Sequence, residues 1–127
     1  MSIIDAVFGN ASQVDAGKIQ KEHQEIFIPG EEVKAAFQLV RDQFIFTDKR
    51  LVLVDKQGLT GKKVEYLSVP YKSIKYFSIE TAGRFDRDAE LKIWIGNKAE
   101  PTIEKELKKG IDIISLQRTL AYYLLNG

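Results

Sequence analysis

The chain has 127 residues, which is enough for one folded domain with a single hydrophobic core. Its 44% apolar and 29% charged residues argue against intrinsic disorder, and the near balance of 19 Lys and Arg residues with 18 Asp and Glu residues argues against nonspecific nucleic-acid binding by the whole surface. The lack of cysteine excludes disulfides, thiolate catalysis and cysteine-ligated zinc.

The first 29 residues show a helical pattern. Ser2 can cap a short apolar helix over residues 3–8, and Ile19, His23 and either Ile26 or Phe27 recur farther on at helical spacing. Residues 2–8 lack a basic start and a long apolar stretch, so they predict neither a signal peptide nor a membrane span. We therefore expect two modest helices and a cytoplasmic protein.

A first strand follows, in which Val33, Ala35, Phe37 and Leu39 share one face. The most distinctive stretch of the chain comes next, at residues 44–54, F-I-F-T-D-K-R-L-V-L-V. Two apolar runs flank a polar turn there, which predicts a hairpin that is apolar on both faces. Each face needs cover. We expect the C-terminal helix and opposing strands to cover one face, and the N-terminal helices or a neighbouring subunit to cover the other.

Four further extended runs complete a set of about seven strands. They lie at residues 64–69, 74–79, 91–95 and 102–107. In the third of these runs Leu91, Ile93 and Ile95 alternate with Lys92, Trp94 and Gly96, so Trp94 is predicted on the face opposite this aliphatic trio. The charged final run, T-I-E-K-E-L, is predicted to be an edge strand.

The last segment changes to a helical period. Ile113, Leu116, Leu120 and Leu124 step by three or four residues, and Asp112 stands where an N-cap belongs. The pattern predicts an amphipathic helix, which we expect to close one open end of a strongly bent sheet.

Several motifs carry a resemblance to a known family. Residues 46–54, F-T-D-K-R-L-V-L-V, resemble the third strand of bacterial pleckstrin-homology-like domains and are similar in kind to the same strand of GRAM domains. Three supporting motifs are G-E-E-V at residues 30–33, V-P-Y-K-S-I at 69–74 and A-E-L-K-I-W-I at 89–95. The resemblance covers about three quarters of the chain, and its motifs are mostly structural.

The resemblance implies a mainly β fold. This fold is a bent seven-stranded antiparallel sheet, or partly open barrel, capped by a C-terminal amphipathic helix. It implies an N-terminal helical extension at residues 1–29 and a pleckstrin-homology-like domain at residues 30–127. It also implies a noncatalytic module of undefined ligand, often assembled into a symmetric ring.

A basic patch is the first candidate site. Its members are Lys49, Arg50, Lys56, Lys62 and Lys63, on two loops next to one strand, and they define an anionic-lipid or phosphate site as an alternative function. The turn at residues 40–43 has one cation beside one anion and departs from the pattern of lipid-binding relatives. We expect these cations to be mainly solvated strand ends.

An enzymatic site is the second candidate. Asp86 and Asp88 are alternate carboxylates that can hold a cation, but Arg87 between them opposes metal binding. His23, the only histidine, is predicted to pack at the helix boundary. No nucleophile motif or phosphate loop occurs, so we expect no catalysis, no cofactor and no bound metal.

An aromatic interaction surface is the third candidate. Trp94, Tyr66, Tyr71 and Tyr76 lie on strands or at their ends. Exposed aromatic residues are enriched at protein interfaces because they bury a large area at little entropic cost. Either the N-terminal helices or a neighbouring subunit can cover them. We predict self-association into a homo-oligomer, with a further protein partner left open, no nucleic acid, and membrane lipid not favoured.

Overall fold

Two antiparallel sheets and two α-helices carry the part of the chain that the computed structural model describes, which is residues 14–39, 41–58, 62–83, 88–108 and 112–126. The described residues up to Pro70 belong to one compact unit, and those from Tyr71 onward belong to a second. The predicted helix at residues 3–8 lies outside the described residues.

The first unit is a short helix followed by a four-stranded sheet. Its elements are α1 (Ala16–Glu22), a 3-10 helix (Gln24–Ile26), β1 (Val33–Gln38), β2 (Gln43–Thr47), β3 (Arg50–Gln57) and β4 (Lys63–Pro70). The strands pair antiparallel in the order β1-β2-β3-β4, so each lies beside its neighbour in sequence.

The predicted hairpin is β2 and β3. Phe46 pairs with Leu51 and Phe44 with Leu53, and every residue of β2 is buried. The turn is held by Thr47, whose hydroxyl oxygen accepts hydrogen bonds from the N–H groups of Lys49 at 3.0 Å and Arg50 at 2.9 Å. A threonine that satisfies two turn N–H groups fixes the point at which the chain reverses.

Helix α1 covers one face of this sheet. Ile19 lies in a buried cluster with side chains from the first three strands. These side chains are Val33, Ala36, Ile45, Val52 and Val54. Partly buried Val14, Ala16, Ile26 and Phe27 surround the cluster. The N-terminal helical segment therefore covers its own sheet, which decides between the two covers expected for this face.

Polar contacts fix α1 at both ends. The carboxylate of Asp15 accepts from the N–H groups of Gly17 at 2.8 Å and Lys18 at 3.3 Å, which caps the start of the helix. The side chain of Gln20 binds the backbone just before β1 and at its first residue: its Nε2 donates to Glu31 O at 2.7 Å and its Oε1 accepts from Val33 N at 2.7 Å. The Gln20 side chain therefore bonds one backbone carbonyl and one backbone N–H at the edge of β1, as the backbone of a neighbouring strand would.

The second unit is a three-stranded sheet followed by a helix. Its elements are a 3-10 helix (Tyr71–Ser73), β5 (Ile74–Thr81), β6 (Ala89–Ile95), β7 (Ile103–Leu107) and α2 (Ile113–Asn126). The strand order β5-β6-β7 places β7 at one end of this sheet, as the charged sequence predicts.

Helix α2 confirms the C-terminal prediction. Asp112 Oδ1 accepts from Ser115 N at 2.9 Å, so it is the N-cap. Ile113, Leu116 and Leu120 are buried on one side. None of the described helices has both the length and the apolar character needed to cross a membrane. That α2 closes an open end of the sheet stays a prediction.

Candidate functional site

A tilted aromatic pair lies on one face of the second sheet. Tyr76 on β5 is directly opposite Trp94 on β6, and their ring centroids are 4.8 Å apart at an interplanar angle of 35°. Leu91 and Ile93 of the same strand β6 are buried, so Trp94 does lie on the opposite face from these aliphatic residues. Cross-strand aromatic pairs of this kind stabilise a sheet and present a large apolar area.

The rings of Tyr76 and Trp94 are partly exposed, and the one N–H of the indole ring has a hydrogen-bond acceptor within the protein. Tyr76 is 49% exposed, and Trp94 is half-buried. Trp94 Nε1 donates to the carbonyl of Ala99 at 3.2 Å. Because this indole N–H already has an internal acceptor, a partner that covers the rings does not leave it unsatisfied.

The remainder of this sheet face is charged. Glu90 lies opposite Glu80 on β5 and Glu106 on β7, which puts three glutamates in one row across the sheet. Lys92 Nζ lies 3.3 Å from Glu90 Oε1, and this hydrogen bond, followed by the attraction between the charges, raises the pKa of Lys92. Lys108 Nζ likewise forms an ion pair with Glu106 Oε1, at 2.7 Å. These charges keep that end of the face well hydrated, so the apolar surface is confined to the aromatic end.

Tyr66 presents a second exposed ring, on the first unit. It lies on β4 opposite Val54 and is 44% exposed. Its hydroxyl oxygen lies 3.2 Å from His23 Nδ1, and its ring meets the His23 ring edge-on at 5.6 Å. Together with residues 21–26 it lines a surface cleft of about 180 Å³, which is below the usual size of a small-molecule site.

Tyr71 differs from the other predicted interface residues. Its ring stacks on Tyr123 of helix α2 with centroids 4.7 Å apart and an interplanar angle of 14°. Tyr71 is half-buried, so its contact area is used within the second unit. Of the four predicted aromatic residues, the structure thus pairs Tyr76 with Trp94, places Tyr66 in the other unit and packs Tyr71 against a helix.

The members of the predicted basic patch lie at two different ends of the β3–β4 ladder. Lys49 lies before the start of β3, whereas Lys56 lies near the end of that strand, roughly 20 Å away at the rise of an extended chain. Lys63 pairs with Gln57, the residue next to Lys56, whereas Lys56 pairs with Val64, so Lys56 and Lys63 lie on opposite faces of the sheet. The register of β3 with β4 therefore keeps apart lysines that are on neighbouring loops in the sequence.

Arg50 is engaged within the first unit. Its Nε and Nη2 contact the two carboxylate oxygens of Glu31 at 2.9 and 3.0 Å, its Nη1 donates to Ser68 Oγ at 2.7 Å, and its Nη2 also donates to Ile26 O at 2.7 Å. The Glu31 side chain is buried and further accepts from the Thr47 hydroxyl at 2.7 Å. Sequence reasoning missed Glu31 as the partner of Arg50, because the two residues are 19 positions apart and nothing in G-E-E-V marks a buried acid.

The network changes the acid–base behaviour of Glu31. Burial alone raises the pKa of this carboxyl, but hydrogen bonds from Arg50, Thr47 and the N–H of Ile28, together with the charge of Arg50, outweigh burial and lower the pKa from its usual 4.5 to about 2. The contact with Glu31 in turn raises the pKa of Arg50. Both groups are therefore charged at neutral pH, and each neutralises the other.

The predicted metal or enzyme site is only partly within the described residues. Asp88 is exposed just before β6, and Asp86 lies outside the described residues. Across residues 14–39, 41–58, 62–83, 88–108 and 112–126, no three His, Asp or Glu side chains form a group that could hold a metal ion.

Solved structures of other proteins share this architecture. The chain is similar to a pleckstrin homology domain of Shewanella amazonensis, at 54% identity and a TM-score of 0.81, over 97% of this chain and 98% of that one. It is also similar to a DUF1696 family protein with a pleckstrin-homology domain from Shewanella loihica, at 50% identity and a TM-score of 0.74, over 91% and 98% of the two chains. The four-stranded and three-stranded antiparallel sheets with a C-terminal helix thus define a pleckstrin-homology fold.

The sequence comparison gives the family itself. The family model described as bacterial PH domain matches residues 2–124, and the chain belongs to this family. Its relative in Bacillus subtilis (strain 168), the uncharacterized protein YjqA, is 55% identical over 121 residues, which are 95% of this chain and 97% of the relative. The match begins at residue 2, whereas the division into an extension at residues 1–29 and a domain at residues 30–127 stays a prediction.

Proposed function

We propose that this chain is a noncatalytic interaction module of the cytoplasm that associates with further copies of itself through its exposed aromatic surfaces. The close pair of Tyr76 and Trp94, whose rings are in tilted contact, is the observation that carries this proposal. Large aromatic rings on the outside of a sheet lose little conformational entropy when they are covered, which is why such rings dominate binding energy at interfaces.

The polar surroundings of this pair favour a specific contact. The rings lie at one end of a sheet face whose other end carries Glu80, Glu90 and Glu106. An apolar centre bordered by charges is the usual anatomy of a protein interface, because the charges exclude wrong registers while the centre supplies binding energy.

Strand β7 offers a second element for self-association. It pairs with β6 alone among the described strands and carries outward-facing Glu104 and Glu106. A contact between one such edge and a different surface of the next copy is heterologous, and repetition of a heterologous contact closes into a ring when the rotation allows it. We therefore propose a cyclic homo-oligomer.

Solution mass measured by light scattering over a wide dilution series tests the proposal. We expect the wild-type mass to rise with concentration above that of one chain. Tyr76→Lys, which places a charge in the aromatic surface, should weaken association at least tenfold, and Trp94→Ala should do the same if circular dichroism shows that it folds.

The matched control for this experiment is Leu125→Ala, which removes an exposed apolar side chain from helix α2. It should leave the mass distribution unchanged. A wild-type protein that stays monomeric at high concentration would contradict the proposal.

An anionic-lipid or phosphate module is the alternative, and the structure gives it less support. Arg50 is held by Glu31, and Lys49 lies far along β3 from Lys56, Lys62 and Lys63. Flotation with vesicles of purely zwitterionic lipid and of zwitterionic lipid mixed with anionic phosphatidylglycerol separates the two proposals. Absence of any lipid-dependent shift at low salt would end the lipid proposal.

A further inference from the structure

His23 connects the interior of the first unit to its surface. It is the only histidine of the chain and is 7% exposed. One ring nitrogen, Nε2, lies 3.0 Å from Gln43 Oε1 on β2, and the other, Nδ1, lies 3.2 Å from the hydroxyl oxygen of Tyr66 on β4. Both ring nitrogens therefore have partners, one inside the protein and one at its surface.

A chain of side-chain amides fixes the direction of these bonds. Gln38 Nε2 donates to the carbonyls of Leu39 at 2.8 Å and Asp42 at 3.2 Å, which orients this amide, because a carbonyl oxygen in place of Nε2 could not donate. Gln38 Oε1 consequently faces Gln43 and accepts from its Nε2 at 2.8 Å. The orientation of Gln43 is then set as well, and its oxygen is the atom that meets His23.

The tautomer of neutral His23 follows from this orientation. Because an amide oxygen only accepts hydrogen bonds, His23 Nε2 must carry the proton that binds Gln43. A neutral imidazole has one N–H, so Nδ1 is the acceptor and the Tyr66 hydroxyl donates its hydrogen inward to it. Toward solvent or a partner, the Tyr66 oxygen then offers lone pairs.

Protonation reverses the last bond of this chain. Imidazolium carries a hydrogen on both nitrogens, so Nδ1–H donates to the Tyr66 oxygen and the phenolic hydrogen turns outward. The charged groups that line the cleft with His23 and Tyr66 are Lys21, Glu22 and Glu25. Glu22 Oε1 lies 3.5 Å from His23 Nε2, which provides a counter-charge for the protonated ring.

We propose that the protonation state of His23 sets whether the exposed Tyr66 hydroxyl accepts or donates a hydrogen bond, and that the contact made by the Tyr66 surface therefore depends on pH. The inference rests on the proposed function, in that the Tyr66 surface takes part in self-association. With His23 neutral this surface recognises a hydrogen-bond donor, and with His23 protonated it recognises an acceptor.

Nitrogen-15 NMR of the single histidine tests the geometry without any partner. At neutral pH we expect the tautomer with the proton on Nε2, and on acidification the ζ-carbon resonance of Tyr66 should move with the same midpoint as the His23 ring. A proton on Nδ1 at neutral pH, or a Tyr66 resonance that ignores the histidine titration, would overturn the inference.

Association measured over about pH 5 to 8, where histidine side chains change charge, tests the consequence. The wild-type dissociation constant should change by about 2- to 10-fold across this range, the effect that one hydrogen bond supplies. Tyr66→Phe keeps the ring and lacks the hydroxyl, and His23→Gln cannot take up the proton, so both should lose this dependence. Persistence of the full pH effect in Tyr66→Phe would overturn the coupling to Tyr66.

The two proposals can fail separately. A strictly monomeric wild-type protein would remove self-association, and the NMR titration would still decide whether His23 controls the Tyr66 hydroxyl. A protein that associates equally well at every pH would keep self-association and remove the pH-dependent contact.

Discussion

Glu31 and Arg50 form a two-point ion pair, in which the carboxylate oxygens accept from Nε at 2.9 Å and from Nη2 at 3.0 Å. The Glu31 side chain is fully buried, whereas the Arg50 side chain is 22% exposed. The same guanidinium reaches Ser68 on β4 and the carbonyl of Ile26 in the 3-10 helix. The pair therefore ties the segment after α1 to the end of the four-stranded sheet.

Replacement of this buried acid should destabilise the protein. Glu31→Gln leaves the Arg50 charge without its partner, and we expect the free energy of unfolding in urea to fall by about 2–4 kcal/mol. The adjacent Glu32 provides a matched control, because its ion pair with Lys34, at 2.6 Å, is exposed. Glu32→Gln should cost no more than about 1 kcal/mol. Equal losses in the two variants would contradict a special role of the buried pair.

The same pair predicts how stability changes in acid. The pKa of Glu31 is about 2 in the folded protein and near 4.5 when the chain is unfolded, so the unfolded state takes up this proton first as the pH falls. The stabilisation is therefore complete above about pH 4.5 and is lost as the pH falls toward 2. It amounts to about 3 kcal/mol, on the basis of 1.4 kcal/mol per tenfold change. Urea unfolding at a series of pH values should show an acid-dependent loss that is smaller in Glu31→Gln.

The hydrogen bonds of Gln20 to the edge of β1 give a further prediction about stability. Gln20→Ala removes the partners of Glu31 O and Val33 N, and we expect a loss of about 1–3 kcal/mol in unfolding free energy. Hydrogen exchange at the Val33 amide should accelerate in the same variant. Gln24→Ala is the control, since the Gln24 side chain is exposed, and it should change neither quantity appreciably. An unchanged Val33 exchange rate in Gln20→Ala would contradict the role of Gln20.

Helix α2 predicts a contrast between two leucines. Leu116 is fully buried, so Leu116→Ala should cost about 2–5 kcal/mol through lost burial and the cavity left behind. Leu125, on the same helix, is 84% exposed, and Leu125→Ala should change the free energy of unfolding by less than about 0.5 kcal/mol. Thermal or urea denaturation of both variants measures the difference, and similar losses would contradict the assignment of the buried face.

The features that the sequence predicted are those set by local pattern. The hairpin at Thr47, the cap at Asp112 and the face of Trp94 each depend on residues within one or two turns or on the alternation of a single strand. Short-range rules of this kind do not need the partner strand to be known.

The features that the sequence did not predict depend on which distant groups meet. The sequence predicts that Arg50 belongs to a turn or to a basic patch. Its partner Glu31 is identified only from the fold, in which the turn before β1 lies beside the start of β3. The expected convergence of Lys49 with Lys62 and Lys63 fails for a related reason, because the register of β3 and β4 sets the distance between two loops. The ring stays a prediction.

The order of strands in both sheets has a consequence for folding. Among the described strands, each ladder joins two strands that are adjacent in sequence, so the strand pairing itself is local. Pairing between sequence neighbours lowers the contact order of a β protein, and we expect stopped-flow refolding closer to milliseconds than to seconds. All four strands of the first sheet are available once Pro70 has left the ribosome. That sheet can therefore pair before any residue of β5, β6 or β7 has left the ribosome.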